Sequence, residues 1–372
     1  MNSPDVVMIT GAGSSVGAGM PLAIDLREQV IDRIENDSEA VIGSQVAQIL
    51  RKVIELSFAS ENVIFRRKNP DLEVLVDILT EVASLSSYQA LSGVWSNIQP
   101  YDLNTITALI VKHVAELLSK DSNPAYLANI REILSEHNPL WLFSLNHDLC
   151  FETAFEEASI PYTVGFRSDG IFDFSIFDKF ASGVALYKLH GSVDWVRDTG
   201  IFYPFRRGSI EEVLSNMEEP CFGGIGCEFP ESVPRRVEYH LPAIHFGGRT
   251  KFVMEYPFLH FMTRLDYALK QASIIIIMGF SLFDRHITHL IIESFYYGSK
   301  TIILVDPSPM YENLDDAATL MPFLGARPTL IETMNKQSIL FNRMKYINLR
   351  GKAEDQSTWF ELASIIKKTI NG

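Results

Sequence analysis

The sequence predicts an α/β fold with a doubly wound, mostly parallel sheet and a large all-helical insertion. Short apolar runs, typical of buried parallel strands, occur at the start of the chain and again from residue 140 onward. A glycine-rich stretch follows the first run and precedes an amphipathic helix pattern, as in the opening unit of nucleotide-binding folds. Between about residues 38 and 138 only helical patterns occur, and this region is predicted to be the insertion.

The first strand and helix are predicted within residues 6–36. VVMIT, at Val6–Thr10, is short, apolar and partly β-branched, and it predicts a buried strand. Pro21 is typical of the first turn of a helix. After Pro21, an apolar side chain recurs every four residues on one predicted helix face: Leu22, Leu26, Val30 and Ile34.

The loop between them reads GAGSSVGAGMP, at residues 11–21. Its glycine spacing describes a longer turn than GxGxxG, and no GK[ST] of a P-loop follows. Glycines let backbone N–H groups approach a diphosphate, and the following helix adds its positive end. The hydroxyls of Ser14 and Ser15 add donors. The loop therefore predicts a phosphate site, with a turn that binds no ligand as the alternative.

Five further strands are predicted after the helical region. Four of them end in polar or glycine-containing turns, which read NHD, HGS, GFS and DPS. Because ligands bind at the carboxyl ends of parallel strands, these turns and the glycine loop are expected to share one crevice. A helix from about 354 to 370 follows the last strand. The predicted strands are Leu140–Leu145, Val184–Leu189, Ile274–Met278, Thr301–Val305 and Met344–Leu349.

The domain organisation follows from these patterns. Residues 1–37 and 139–372 are predicted to form the sheet domain, and 38–138 the inserted helical subdomain. In the insertion, Asn69–Pro70 and Asn123–Pro124 are helix-start signals, and an apolar stripe runs along Leu72, Leu75, Leu79 and Val82. A packing cap without chemistry is one interpretation of the insertion, and a contact surface for a partner is the other. Residues 197–257, rich in glycine, proline and aromatics, predict loops or a small lobe.

Composition excludes several classes of protein. The 372 residues carry 46 acidic and 32 basic side chains, for a net charge of −14, which argues against direct nucleic-acid binding. Cys150, Cys221 and Cys227 are too few for a disulfide framework. The most apolar run, SIIIIMGF at Ser273–Phe280, is too short for a membrane span. The first strand leaves no room for a signal peptide, so a cytoplasmic protein is expected.

Three polar side chains at predicted strand ends are candidates for chemistry. Asn146 and Asp148 follow a strand at alternate positions, so both face the crevice if the extended run continues. Capping the next helix is the structural alternative for Asp148. His190, followed by Gly191 and Ser192, is placed for acid–base work, although a lone histidine is often structural. His286 in FDRHITH is a second histidine candidate, with a helix-start surface residue as the alternative.

Together these motifs, in this order, resemble the sirtuin family. The resemblance runs through most of the chain outside the helical insertion. It implies a Rossmann-like domain that binds NAD⁺, with NAD⁺ as the substrate. The matching positions are Gly11, Ala12, Gly13, Ser15, Gly19 and Pro21, then Asn146, Asp148 and His190, then Gly279, Ser281, Asp306 and the GKA turn at Gly351–Ala353.

Differences between this sequence and the motifs of sirtuin deacylases narrow the predicted activity. Sirtuin deacylases carry two CxxC pairs for a structural zinc, whereas this sequence has no CxxC, so no metal site is predicted. Their Asp-Phe-Arg is Leu22-Ala23-Ile24 here, and the glutamine of their second motif is Leu145. The pattern is therefore similar to the sirtuin-like NADases of bacterial anti-phage defence, which include the Thoeris effector and partners of HerA-type ATPases. Because unregulated hydrolysis of NAD⁺ would kill the cell, the activity is expected to be gated, and the resemblance suggests a HerA-like ATPase as the partner. A homo-oligomer is expected because the apolar stripes of the helical insertion need a surface to cover them.

The resemblance also implies roles for the matched residues. Asn146 is expected to bind the nicotinamide ribose and the attacking water, and His190 the ribose hydroxyls and a proton. Asp148 is expected to orient the nicotinamide carboxamide or the Asn146 loop, while residues 11–19 hold the diphosphate. Ser281, Asp306 and Lys352 are expected to bind the adenosine half of NAD⁺.

Three other functions stay open from the sequence. Protein deacylation or ADP-ribosyl transfer is the second enzymatic reading, disfavoured by the departures described above. Cyclisation of ADP-ribose would use the same motifs as hydrolysis. A non-catalytic NAD or nucleotide-binding subunit of an ATPase complex is the alternative from another class.

Overall fold

The structure, a computed structural model, describes ten ranges of the chain: 4–37, 43–59, 71–76, 100–197, 204–206, 242–244, 256–281, 284–305, 344–349 and 351–371. The chain divides into two compact units. One, here the sheet unit, comprises Met1–Met20, Asp121–His190 and Met254–Gly372. The other, here the helical unit, comprises Pro21–Lys120 and Gly191–Val253. The domain limits predicted from sequence stay predictions.

The sheet unit contains a seven-stranded sheet in which every strand pair is parallel. Its strands are β1 Val6–Thr10, β2 Leu140–Ser144, β3 Tyr162–Thr163, β4 Val184–Lys188, β8 Ile274–Met278, β9 Lys300–Val305 and β10 Met344–Leu349. The strand order is β10-β9-β8-β1-β2-β4-β3, so the first strand lies in the centre of the sheet. The all-parallel pairing confirms the predicted parallel α/β class.

The strand limits agree with the sequence to within one residue. β2 and β4 each end one residue before the predicted limit, and β9 begins one residue earlier, at Lys300. β3 was not predicted, because two residues are too few to produce a periodic pattern. Every residue of β1, β2, β4, β8 and β9 is buried, as expected for strands covered on both faces.

The register aligns the carboxyl ends of five neighbouring strands. Thr10 pairs with Ser144 on one side and with Met278 on the other. Ser144 in turn pairs with Lys188, and Met278 with Val305. The last residues of β4, β2, β1, β8 and β9 thus form one row, and the residues that follow them emerge at the same edge of the sheet. This is the arrangement that the sequence predicts.

Helices connect the strands of the sheet unit. The 3₁₀ helix Ala125–Ile130 packs on the helix Cys150–Glu157, which follows β2. The last helix, Gln356–Asn371, packs on the helix Arg131–Glu136. Each of three of these helices buries a large aromatic side chain, namely Phe151, Phe261 and Trp359. These helices are α4 Arg131–Glu136, α5 Cys150–Glu157, α6 Ser175–Lys179, α7 Phe258–Gln271, α8 Arg285–Ser294 and α9 Gln356–Asn371.

The helical unit contains α1 Ala23–Asn36, α2 Gly43–Ala59 and α3 Pro100–Leu118, with α1 packed on the other two. Residues 72–76 are also helical. Leu79 and Val82 of the predicted apolar stripe, and the Asn69–Pro70 signal, lie outside the described residues. The unit further contains a small antiparallel sheet in the order β6-β5-β7, formed by β5 Gly191–Arg197, β6 Pro204–Arg206 and β7 Pro242–Ile244.

One local prediction is wrong. Pro21 does not lie in the first turn of α1, because Leu22 is extended and occupies the N-cap position of a helix that begins at Ala23. The stretch 197–257, for which loops or a small lobe are predicted, contains β6 and β7. These two strands are three residues long, and they gain their hydrogen bonds from β5. The alternation of so short a strand is too brief to detect in a sequence.

Among the described residues, no helix is long and apolar enough to cross a membrane.

Lys300 at the start of β9 makes stability dependent on pH. Its buried ammonium donates to the backbone oxygens of Lys270 at 3.0 Å and Ala272 at 2.7 Å. Burial lowers the pKa of Lys300 from 10.5 to about 8, because the charged form loses solvation. Between these two values the unfolded chain binds more protons than the folded chain, so stability rises with pH across this window. Below the folded pKa the destabilisation is complete.

The free energy of unfolding is expected to rise with pH in the wild type, and Lys300→Met should remove the part of this rise that the titration of Lys300 causes. Between about pH 7.5 and pH 10, the free energy of unfolding of the wild type should rise by about 2 kcal/mol relative to the variant. Urea unfolding of both proteins across this range measures the difference. Parallel pH profiles for the two proteins would contradict the lowered pKa.

Candidate active site

The glycine loop folds into two short 3₁₀ helices, Ala12–Ser14 and Val16–Ala18. The second ends at Gly19, whose φ of 90° lies in the left-handed region that favours glycine. Most N–H groups of the loop donate to backbone carbonyls of the protein. The residues whose N–H groups are used in this way are Gly11, Gly13, Ser14, Ser15, Ala18, Gly19 and Met20. Within the part of the chain that the structure describes, the N–H groups of Ala12, Val16 and Gly17 make no such bond, and they are the loop's candidates for contact with a ligand.

Gly279, directly after β8, packs against the backbone of the loop. Its carbonyl accepts from the N–H of Gly13 at 2.9 Å, and its φ is 61°. A Cβ added to Gly279 would lie 2.2 Å from the nitrogen of Ser14 and 2.5 Å from the carbonyl carbon of Gly13. Glycine is therefore required here for close approach as well as for the left-handed backbone. The sequence match placed Gly279 at the site, and the structure shows that it touches the loop.

The hydroxyls of the loop serines are used inside the protein. Ser14 and Ser15 are completely buried. Ser14 Oγ donates to the carbonyl of Gly11 at 2.8 Å, and the hydroxyl of Tyr126 donates to the carbonyl of Ser14 at 2.7 Å. Burial raises the pKa of Tyr126, which keeps the phenol protonated as a donor. Tyr126, in the 3₁₀ helix Ala125–Ile130, thus holds the loop at Ser14.

Asn146 and Asp148 are connected through Ser15. The Nδ2 of Asn146 lies 3.0 Å from Ser15 Oγ and 3.1 Å from the carbonyl of Gly11. Ser15 Oγ in turn donates to Asp148 Oδ1 at 3.3 Å. Since a carbonyl only accepts, the contact with Gly11 identifies the nitrogen of the amide group. The chain of bonds therefore fixes which way the Asn146 amide points.

Asp148 also performs the structural role that the sequence offered as an alternative. Its Oδ1 accepts from the N–H of Cys150, the first residue of α5, at 3.0 Å. The carboxylate thereby satisfies one of the N–H groups at the start of a helix. Asp148 is 5% exposed. Its position supports both the helix start and, through Ser15, the orientation of Asn146.

A buried ion pair lies behind Asp148. Lys188 Nζ lies 3.2 Å from Glu152 Oε1, and the two side chains are 2% and 4% exposed. The same ammonium donates to the backbone carbonyl of Asp148. Lys188 ends β4, and Glu152 lies in the first turn of α5. The pair therefore joins the end of a strand to the segment that carries Asp148.

His190 pairs with a carboxylate from a different part of the chain. It follows β4, where the N–H of Leu189 still bonds the carbonyl of Ser144 at 2.9 Å. His190 Nε2 lies 3.2 Å from Asp284 Oδ2, with the side chains 5% and 8% exposed. The ring of His147 lies 6.1 Å from the ring of His190. A buried histidine beside a carboxylate is an arrangement suited to proton transfer.

Cys150 contributes no thiolate to this region. Burial, followed by the charge of Asp148, raises the pKa of the thiol, so it is protonated at neutral pH, and a protonated thiol is a weak nucleophile. Within the described residues, no group of three or more His, Cys, Asp or Glu side chains is arranged to hold a metal ion. Cys221 and Cys227 lie outside those residues.

Glu354 packs against the other side of the loop. A Cβ added to Gly17 would lie 2.1 Å from Cγ of Glu354 and 2.7 Å from its Oε1. Glu354 is exposed, so its side chain has room to rotate. An anion that binds over Gly17 requires that rotation, because two like charges would otherwise share the position.

The structure brings together only part of the predicted set. The loop, Asn146, Asp148 and Gly279 are connected by direct contacts, and His190 emerges from the same row of strand ends. Ser281 and Lys352 are exposed, and no described contact connects either side chain to the loop. Asp306 lies outside the described residues. The GKA turn is held at Ala353, whose carbonyl accepts from Trp359 Nε1 at 2.8 Å.

Sequence reasoning missed four side chains of this region: Asp284, Tyr126, Lys188 and Glu152. Asp284 carried a detectable signal, because Asp before a helix pattern is typical of an N-cap. It lies in the run where His286 was considered, and the backbone N–H of His286 donates to Asp284 Oδ1 at 3.0 Å. Tyr126, Lys188 and Glu152 carried no such signal, since their partners are distant in sequence or buried by folding.

Comparison with known proteins gives a fold-level likeness only. No protein-family model and no curated protein matches the chain. Similar solved structures include a Sir2 homologue in complex with ADP-ribose, 15% identical, which covers 98% of this chain and 93% of its own, with a TM-score of 0.44. A Sir2 enzyme is 14% identical over 99% and 94%, with a TM-score of 0.42. A Sir2 homologue in complex with NAD is 16% identical over 98% and 90%, with a TM-score of 0.41.

Proposed function

We propose that this chain is an NAD⁺ glycohydrolase, which cleaves the bond between nicotinamide and ribose to give nicotinamide and ADP-ribose. The observation that carries the proposal is the edge of the sheet where five strands end together. At this edge the chain has a glycine loop, the Asn146–Ser15–Asp148 chain and the His190–Asp284 pair. Each belongs to a motif by which the sequence resembles sirtuins, except Asp284.

The chemistry of this bond suits the side chains present. Nicotinamide leaves a cationic pyridinium as a neutral molecule, so no acid has to protonate it, unlike the leaving group of ordinary glycosides. The site has to hold the ribose, stabilise an oxocarbenium-like centre and receive the proton of the attacking water. A buried histidine is able to receive that proton. An additional carboxylic acid for the leaving group is unnecessary.

The proposed roles combine the contacts described above with the positions that match the sirtuin motifs in sequence. The amide of Asn146, oriented by Ser15 and Gly11, would present its oxygen to the ribose and water, because its nitrogen is engaged within the protein. His190 would accept the proton, and Asp148 would hold Asn146 in place through Ser15. The diphosphate would bind the loop backbone at Ala12, Val16 and Gly17. Ser281, Asp306 and Lys352 would serve the adenosine half.

The cellular setting is proposed from the sequence resemblance alone. The chain would act in the cytoplasm as an anti-phage effector that depletes NAD⁺. Such activity has to be gated, and assembly into a homo-oligomer or with a HerA-like ATPase would provide the control. Protein deacylation or ADP-ribosyl transfer is less favoured, because the deacylase Asp-Phe-Arg is Leu22-Ala23-Ile24 and the sequence has no CxxC pair.

One observation favours a second candidate, a nucleotide-binding subunit without catalysis. The Nδ2 of Asn146 and the hydroxyls of Ser14 and Ser15 all bond within the protein. Side chains engaged in this way are also what a purely structural loop requires. The two candidates differ in one measurable property, which is turnover of bound NAD⁺.

The test is chromatography of NAD⁺ incubated with the purified protein and with Asn146→Ala and His190→Ala. Loss of the base is expected to lower kcat by about 10²- to 10⁴-fold. His289→Ala is the matched control, since this histidine on α8 has a side chain that is 69% exposed and should retain full activity. ADP-ribose as the product supports hydrolysis, and a cyclic product would indicate a cyclase. Undiminished turnover by His190→Ala would refute the proposed site.

Binding measured by calorimetry separates the second candidate from a gated enzyme. NAD⁺ that binds the isolated chain without turnover is consistent with both. Repeating the assay with the co-purified partner then distinguishes them, because only a gated enzyme releases nicotinamide in the assembled complex.

A further inference from the structure

Asp284 occupies a fixed position between two electropositive groups. Its Oδ1 accepts from the N–H groups of His286 at 3.0 Å and Ile287 at 3.3 Å, at the start of α8. Its Oδ2 faces Nε2 of His190 at 3.2 Å. The positive end of the helix stabilises the ionised carboxylate, and two backbone bonds to one oxygen hold the other oxygen toward the histidine.

A carboxylate in this position determines where a neutral imidazole carries its proton. Ionised carboxylate oxygens only accept hydrogen bonds, so the ring nitrogen that faces one has to donate. With the proton on Nε2, the acceptor of the ring is Nδ1. The buried setting strengthens this preference, because both side chains are shielded from water.

We propose that Asp284 is the positioning residue for His190: it fixes the imidazole as the Nε2–H tautomer and leaves Nδ1 to accept the proton of the attacking nucleophile. The role in turnover rests on the proposed hydrolase function, whereas the tautomer does not. Asp284 itself touches no reacting atom. In the Ser-His-Asp hydrolases, an amide in place of the orienting carboxylate lowers kcat about 10⁴-fold, because the wrong tautomer results.

Three substitutions separate this role from helix capping. In Asp284→Asn, the amide oxygen keeps the cap while the amide nitrogen donates to Nε2, so the proton of His190 moves to Nδ1. In Asp284→Ser, the shorter hydroxyl keeps the cap but does not reach the ring. Asn and Ser are both good N-caps, and the urea midpoint should change little in either variant. Asp284→Ala loses the cap as well and reports the cost of losing both interactions.

The first measurement is the tautomer of His190, from long-range ¹H–¹⁵N spectra of the histidine-labelled full chain. His190→Gln assigns the signal among the nine histidines. We expect the Nε2–H form in the wild type and the Nδ1–H form in Asp284→Asn. The same tautomer in both proteins would overturn the proposal, whether or not the protein hydrolyses NAD⁺.

The second measurement is NAD⁺ turnover. We expect kcat to fall by about 100-fold or more in Asp284→Asn and Asp284→Ser, with KM within about threefold of the wild type. His289→Ala, on the same helix, should match the wild type. If both capping variants keep wild-type kcat, Asp284 is only a helix cap and the proposal fails. A wild type that shows the Nε2–H form but no turnover, in the complex with its co-purified partner as well, would count against the hydrolase function and leave the pairing of Asp284 with His190 standing.

Discussion

Gly279→Ala is expected to destabilise the protein by about 3 kcal/mol or more. The new methyl group would lie 2.2 Å from the nitrogen of Ser14, and backbone atoms do not rotate away as a side-chain end does. The left-handed φ of 61° adds about 1–2 kcal/mol of strain for any residue with a Cβ, and overpacking typically adds another 1–3 kcal/mol. Urea unfolding measures the loss as a lowered midpoint.

Gly19→Ala is the matched control for this prediction. Gly19 also has a left-handed φ, 90°, but a Cβ there would meet nothing within 4 Å. It should therefore show only the strain, of about 1–2 kcal/mol. Equal losses in the two variants would mean that the contact between Gly279 and the loop contributes nothing to stability.

Glu152→Gln is expected to cost about 3–5 kcal/mol of folding free energy, because it leaves the buried ammonium of Lys188 without its counter-charge. The two side chains are 2% and 4% exposed and 3.2 Å apart. Lys188→Met combined with Glu152→Gln should recover part of the loss, since no unpaired charge then remains. A double-mutant cycle of urea midpoints measures the coupling.

The exposed pair of Lys367 and Glu136 provides the comparison. Its N···O distance of 3.1 Å is similar, but Lys367 is 60% exposed. Glu136→Gln should cost less than about 1 kcal/mol. A loss from Glu152→Gln as small as this would show that Lys188 sheds its proton or reaches solvent when its partner is removed.

Sequence patterns predicted the elements whose signal is local. Val6–Thr10 and Ile274–Met278 are continuous apolar runs between polar turns, and both are strands with the predicted limits. The shared edge followed from the rule that parallel strands end together, so Asn146, Asp148 and His190 could be assigned to one region before their contacts were known.

What sequence could not predict depends on contacts between distant residues. Asp284 and His190 are 94 positions apart in the numbering, and only the sheet order and the start of α8 bring them within hydrogen-bond distance. The role of Ser15 was expected to be that of a ligand donor, yet its hydroxyl donates to Asp148. A serine hydroxyl can donate to any acceptor within hydrogen-bond distance. Which acceptor lies within that distance depends on the folded structure and is not visible in the sequence.

Hydrogen bonds within the protein fix the conformation of the glycine loop before any ligand binds. Its turns are fixed by bonds to its own carbonyls, to Gly279 and to Tyr126. The conformational entropy of these residues is therefore lost when the chain folds and need not be lost again when a ligand arrives. Because this entropy is already lost, more of the free energy of each contact with a ligand remains as net affinity.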